Sequence, residues 1–433
     1  MKHIKVSLIT FFILILATSG AKICACSMYK VTANGKTMVG CNYDTWYTTP
    51  KIWFENAKRQ KEYGAAFNGA RAISNNKTAL NSGINEAGLT FTRLASYYPR
   101  KKNPFSSRIK IKDEVEYLSD ILHTCATIEE VKRYIEKYDH SKFMEAVFLY
   151  IDTTGKYLIV EPYNLIVGND PTYVLSNFCP SITDNETKRS LNRYRNGEDF
   201  LIAHSVETTL PYCSALSDTM SVCRNRNGDG TLLSSIYDTK DKSVNLYFYH
   251  SYDTTVQFKL QEELAKGDHI LSIPEQFPEN KEFERLKNYI TPFNTPKLKI
   301  SLLILGGILT LLSFLLGIYL FIDKRNNISF KFLIIPSVVN LLLAAYLAVL
   351  VTNKYIYYFD APFKHYSSDF ISASSYIPFL LLLIFIPFAL FTIRISKLIE
   401  ANRWIKVVLL FNMLIYVLLI ISFSYWGLYS IWN

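Results

Sequence analysis

Nowhere in the chain do five basic residues run together, no C-x-x-C pair occurs, and no cysteine stands near a histidine at zinc-like spacing. The formal charge of +10 over 433 residues is dispersed, and much of it flanks apolar runs, which argues against a nucleic-acid partner. The missing ligand spacing argues against a metal site in the same way. No internal repeat or low-complexity tract is present.

What the chain does contain is divided unevenly. Residues 26 to 290 mix charges, turns and short strand-like runs, whereas 298 to 433 is dominated by long apolar runs. The first 25 residues have a basic region (Lys2, His3, Lys5), an apolar stretch from Val6 to Ala17 too short to span a bilayer, and small residues at Ser19, Gly20 and Ala21. That is the layout of a secretory leader. Export permits disulfides. With Cys24 in the leader and Cys26 set aside, Cys41, Cys125, Cys179, Cys213 and Cys223 remain, so at least one thiol stays unpaired.

Beyond a linker at 286–297, four apolar segments at 298–322, 332–351, 376–395 and 407–432 each reach the roughly 20 residues a helix needs to cross a ~30 Å hydrocarbon core. Lys324, Arg325 and Lys331 follow the first segment, and Arg394, Lys397, Arg403 and Lys406 follow the third. Basic excess marks the cytoplasmic side, which puts residues 26–285 on the extracytoplasmic face of a multi-pass cell-membrane protein. Few charges lie inside the spans, which favours an anchor over a transporter.

In the 26–285 region the pattern predicts a helix over 113–123 and another starting at Thr127, where Thr127 and Glu130 form a capping box. Hairpins are predicted for 145–152 with 156–161, and for 232–237 with 243–249. Strands grouped with helices in this way suggest antiparallel sheets covered by helices.

Three local patterns stand out: Ala25-Cys26-Ser27 followed by Gly40-Cys41-Asn42-Tyr43-Asp44-Thr45-Trp46; Ser82-Gly83-Ile84-Asn85-Glu86-Ala87-Gly88-Leu89; and Val174-Leu175-Ser176-Asn177-Phe178 with Leu191-Asn192-Arg193-Tyr194. Together, in this order, they resemble the choloylglycine hydrolase and penicillin V acylase family of N-terminal-nucleophile (Ntn) hydrolases. The likeness is stronger to relatives described as linear amide C-N hydrolases, or acyl-coenzyme A:6-aminopenicillanic acid acyltransferase-like proteins. The resemblance spans about 26 to 285 and leaves out the apolar tail.

The resemblance implies an α+β fold, the αββα sandwich, followed here by a four-helix transmembrane region. It implies Cys26 as a nucleophile exposed by leader removal, whose free α-amine, titrating near ~7.7–8.0, takes the thiol proton without a histidine. Asp44 would hold that amine, Asn177 would donate to the oxyanion, and Arg193 would support the nucleophile's surroundings. Trp46, Asn85 and a backbone group at Ala95 would contact substrate, and no cofactor is needed. The implied substrate is a small N-acyl amide with a linear C-N bond, and a bilayer alongside favours an amphiphilic acyl chain. Two departures bear on the substrate: Cys41 stands where the family often has arginine, and Ala95 falls where bile-salt hydrolases use an asparagine.

Other readings of the same residues stay open. Ile23-Cys24-Ala25-Cys26 loosely fits a lipoprotein acceptor, Asp44 fits a turn residue, and Asn177 fits a strand-end cap. Arg189 and Arg195 compete with Arg193 for its role, Gly83 and Gly88 fit purely structural positions, and Trp53 and Phe54 fit either a pocket or the core. For the whole chain the rivals are an acyltransferase on the same fold and a catalytically silent, ligand-binding membrane sensor.

Overall fold

The computed structural model describes residues 26–73, 77–223, 230–322, 330–365, 368–397 and 402–430. The segment 1–25, expected to be a leader, and the basic positions Lys324 and Arg325 lie outside these residues. Two compact units are present, one ending at Asn288 and the other starting at Tyr289.

The strands of the first unit begin with β1 (Ser27–Ala33), β2 (Lys36–Thr45), β3 (Lys51–Glu55), β4 (Ala65–Gly69), β5 (Ser82–Asn85) and β6 (Thr90–Ala95). A short parallel pair, β7 (Ile109–Lys110) and β8 (Tyr138–Asp139), stands apart from the main sheets. There follow β9 (Ala146–Ile151), β10 (Tyr157–Glu161), β11 (Asn164–Gly168), β12 (Thr172–Leu175), β13 (Gly230–Asp238), β14 (Ser243–Phe248), β15 (Val256–Lys259) and β16 (His269–Ser272). One antiparallel sheet runs β12-β1-β2-β13-β14-β15, and a second runs β11-β10-β9-β6-β5-β4-β3-β16.

Helices cover the outer face of each sheet. On the second sheet lie α1 (Glu114–Thr124), capped by the Asp113 side chain, and α2 (Ile128–Ile135), whose Thr127–Glu130 capping box is formed as expected. Leu118, Ile121 and Leu122 repeat at helical spacing and meet Phe91, Phe148, Tyr150, Leu158 and Val160, the alternate residues of β6, β9 and β10. Each such side chain taken fully out of water contributes ~1.5–3 kcal/mol. On the first sheet lie α3 (Asn185–Ser190), α4 (Asn192–Ala203) and α5 (Leu210–Thr219), where Tyr29 of β1 donates to the Cys213 carbonyl at 2.5 Å. Two shorter helices, α6 (Leu260–Leu264) and α7 (Lys281–Lys287), complete the unit. Helix, sheet, sheet and helix therefore form four layers, the α+β sandwich expected from the sequence.

Strands buried on both faces account for the unbroken apolar runs of β9 and β10. The seam between the sheets is nevertheless polar. Asn68 of β4 donates to Ser235 Oγ at 2.9 Å and to the Tyr237 hydroxyl at 2.8 Å, both on β13, and its carbonyl accepts from Ser82 Oγ at 3.0 Å. Tyr237 closes the ring by donating to Ser82 Oγ. Every member is paired, so the seam fixes how the sheets register where apolar contacts alone would let them slide.

The second unit holds α8 (Pro296–Ile322), α9 (Phe330–Thr352), α10 (Asp369–Ser374), α11 (Ile377–Lys397) and α12 (Arg403–Tyr425). Among the described residues, four helical stretches are long and apolar enough to cross a membrane. The last stops earlier than the apolar run suggests: the chain turns at Gly427, φ +65°, so the segment read to 432 is helical only to Tyr425. Outward-facing Ile304, Leu311, Phe314, Ile386 and Leu390 are exposed, while Asn340 donates to Asn412 Oδ1 at 2.8 Å inside the bundle. The interior is otherwise mainly apolar, with Leu309, Leu343, Leu381 and Leu419 buried, so the outer face is as apolar as the inner one, as suits a lipid surround.

Two stability measurements test this packing. Asn68→Ala removes three buried hydrogen bonds, to Ser235, Tyr237 and Ser82, and is expected to lower unfolding free energy by about 2–4 kcal/mol in a denaturant titration. His140 is buried with Nε2 at 2.8 Å from the Tyr117 hydroxyl, and burial lowers its pKa from 6.5 to about 3. Below pH 6.5 the unfolded chain takes up a proton that the folded imidazole refuses. Stability is therefore expected to fall with acidification by up to about 1.4 kcal/mol per pH unit down to pH ~3, and to do so less steeply in His140→Gln.

Candidate functional site

Cys26 immediately precedes β1, and β1 lies between β2 and β12. Met28 pairs with Leu175 and Ser27 with Asn42. Extending those registers by one or two residues sets Cys26 beside Tyr43 on one side and Asn177 on the other. The Cys26 carbonyl accepts from Ser176 Oγ at 3.3 Å, and the residue is 4% exposed. Residues far apart in sequence thus converge because three adjacent strands end at the same level.

Asp44 is held from two sides. Its Oδ1 accepts from Thr231 Oγ1 at 2.7 Å, and its Oδ2 lies 3.3 Å from Arg193 Nη1. Thr231 reaches it through a register irregularity between β2 and β13: Leu233 faces Tyr43, yet Thr231, not Leu232, faces Asp44. This bulge re-aims one hydroxyl at the carboxylate. Arg193, in the first turn of α4, also donates from Nη2 to Asn177 Oδ1 at 2.9 Å. Asn177 Nδ2 in turn donates to the Ala95 carbonyl at 2.6 Å. A chain Thr231–Asp44–Arg193–Asn177–Ala95, buried except at the exposed Ala95, therefore runs beside Cys26.

Ala95 contributes backbone only. Ser96 N–H bonds to the Glu145 carbonyl across β9, so the preceding residue turns both its N–H and its carbonyl to the opposite edge, toward Asn177. An asparagine amide has two N–H groups. Ala95 takes one of the two on Asn177, and among the described residues no hydrogen bond takes the other.

The thiol of Cys26 is pushed up to about 12, by burial first and by the Asp44 carboxylate second. The Asp44 backbone N–H and the Arg193 guanidinium pull it down, without overcoming the burial. A base close at hand is required to make a thiolate here.

The other sequence candidates divide clearly. Arg189 bonds Glu198 and Asp199 near the surface and Arg195 bonds Asn192, so Arg193 alone of the three reaches this chain. Trp46 follows directly on β2, half-buried, with its ring 5.6 Å from that of Tyr47. Asn85, read from the resemblance as a substrate contact, is fully buried: its amide donates to the carbonyls of Leu122 and Cys125 at 2.6 and 2.7 Å, and its oxygen accepts from Leu89 N–H at 2.9 Å. It ties the β5–β6 turn to the end of α1. Gly88 in that turn has φ +81°, with the Thr239 carbonyl 2.3 Å from where a Cβ would stand. Trp53 packs into the core of the second sheet, and Phe54 stacks on His269 at 4.8 Å. Cys26, Cys41, Cys125, Cys179 and Cys213 are free thiols, with Cys41 buried beside Asn81.

Sequence reading missed Thr231 and the Asn68 seam, and gave Ser176 no role beyond its place in the Val174–Phe178 pattern. Thr231 carries no local signal, because its role depends on a bulge visible only once β2 and β13 pair. Asn34-Gly35 at the β1–β2 turn, φ 52° and 70°, is a hairpin signal that the sequence did display.

No protein-family model matches the chain, and no curated protein matches it. Among solved structures, penicillin V acylase from Agrobacterium tumefaciens is similar over 57% of this chain and 90% of its own, at 16% identity and a TM-score of 0.43. A mutant of conjugated bile acid hydrolase from Clostridium perfringens is similar over 59% and 97%, at 15% identity and 0.44, and a second variant of it scores 0.42 at 14% identity.

The buried Asp44–Arg193 pair gives a direct test of the chain. Arg193→Met leaves the carboxylate uncompensated and is expected to lower unfolding free energy by about 3–5 kcal/mol. Arg189→Met, removing two surface ion pairs, should leave the unfolding midpoint nearly unchanged in the same titration.

Proposed function

We propose that the first unit is a cysteine-dependent amidohydrolase that cleaves a linear amide C-N bond of an N-acylated substrate, with Cys26 as its nucleophile. The observation that carries this reading is the convergence of Asp44, Arg193 and Asn177 on a thiol that is too basic to ionise unaided.

In this reading the leader is removed and Cys26 becomes the first residue. Its α-amine, titrating near ~7.7–8.0, lies on the same residue as the thiol and supplies the missing base. Asp44, anchored by Thr231 and Arg193, holds the amine and balances its charge once it is protonated. The thiolate attacks the amide carbonyl, and the oxyanion that forms is met by the second N–H of Asn177 and the backbone N–H of Ala95. The amine leaves with the proton, and water then hydrolyses the acyl-thioester. Arg193 is a positioning residue: by gripping Asp44 and Asn177 together it sets the base and the oxyanion donor at one spacing. Trp46 and Tyr47 offer an apolar wall for the acyl group. The four apolar helices anchor the protein with this unit on the extracytoplasmic side, where an amphiphilic acyl chain dissolved in the bilayer is within reach.

A panel of N-acyl amides assayed with detergent-purified full chain tests this reading. Cys26→Ala should abolish turnover, and Asn177→Ala should lower kcat by about 10²–10³, matching the ~2.7–4 kcal/mol of one oxyanion donor. Rapid acid quench should trap an acylated Cys26 peptide. Full turnover by Cys26→Ala on any cleaved substrate would sink the proposal.

A further inference from the structure

We infer that Cys223, His250 and Glu282 form a site for a soft divalent transition-metal ion of the zinc type. No motif announces it, since the three stand far apart in sequence and only local spacing was legible there. Their ligand atoms all lie within 4.8 Å of one another. A tetrahedral ion with bonds of ~2.0–2.3 Å sets its ligands ~3.3–3.8 Å apart, so closure requires shifts of about an ångström. The donor set of thiolate, imidazole and one carboxylate suits zinc or cobalt better than magnesium or calcium, and three protein ligands leave a fourth position for water.

The backbone around the site is shaped to hold these groups. Cys223 bridges to Gly230, whose φ is +149° and where a Cβ would lie 2.2 Å from the Val222 carbonyl and 2.9 Å from His250 Cε1. Only glycine lets the imidazole settle against this strand. Tyr249 and His250 are successive non-glycine residues in the left-handed region, φ 53° and 61°, a costly conformation kept in place by Tyr249 N–H to the Leu232 carbonyl and His250 N–H to the Thr231 carbonyl. Glu282 arrives on α7, which docks through Phe283 edge-on to Phe248 at 4.9 Å. Strand, turn and helix are each fixed independently, and their three ligand groups meet.

The ion's place gives it a structural consequence. Thr231 exchanges two hydrogen bonds with Val222, N–H to carbonyl and N–H to Oγ1, each 2.8 Å, and the same Oγ1 reaches Asp44. A metal on Cys223 and His250 therefore clamps the strand that aims Thr231. This inference does not rest on the chemistry proposed for Cys26.

Cobalt(II) titration of the full-length detergent-purified protein tests it without substrate. The expected result is one saturable equivalent, with a thiolate-to-cobalt charge-transfer band and a raised thermal midpoint. The band should be lost in Cys223→Ala, and affinity should drop at least ten-fold in Glu282→Gln and in His250→Asn, the last chosen because asparagine tolerates a positive φ. A band that persists in Cys223→Ala, or the absence of saturable binding in the unmodified protein, would overturn the assignment.

Discussion

A guanidinium buried at 7% exposure can be sustained only if its charge is met in place, and Arg193 is met by the Asp44 carboxylate and the Asn177 carbonyl together. Those two partners come from different strands, β2 and the segment after β12, on either side of β1. One cation thus fixes the spacing of the three strand ends around Cys26. The Thr231 hydroxyl and the Ala95 carbonyl continue the chain outward into β13 and the second sheet. The site's geometry is therefore set by electrostatic necessity within the sandwich and needs no flexible loop to assemble it.

The same logic operates in the seam between the sheets. Asn68, Ser82, Ser235 and Tyr237 satisfy one another where an apolar seam would pack with less directional preference. Because strand pairing has a period of two, a slip of one residue would reverse every side chain across the sheets. The polar ring penalises that slip for β4, β5 and β13, the last of which carries Thr231 to Asp44.

Much of this was legible in the sequence. The capped helices α1 and α2, the two predicted hairpins and the four long apolar helices follow from local chemistry: a capping box, turn residues between alternating runs, and uninterrupted hydrophobicity. Cys26, Asp44, Asn177 and Arg193 were singled out through a resemblance, and the fold brings them together. What local chemistry did not disclose depends on tertiary pairing. Thr231 faces Asp44 only because of a bulge. Asn85, in a distinctive motif, is consumed by backbone carbonyls of α1. Cys223, His250 and Glu282 meet only after α7 docks on β14. The end of α12 was overrun because Trp426 and Leu428 stay apolar and buried beyond the helix, where a turn at Gly427 reverses the chain.

The central claim is that a base carried on Cys26 itself ionises a thiol which its surroundings hold up at about 12. Intact mass and fragmentation of the mature N-terminal peptide, taken from membrane-purified protein, test it most directly. The account predicts a chain beginning at Cys26 with an unmodified amine and thiol. A mature chain still beginning upstream, or a Cys26 bearing a lipid, would remove the base and contradict it.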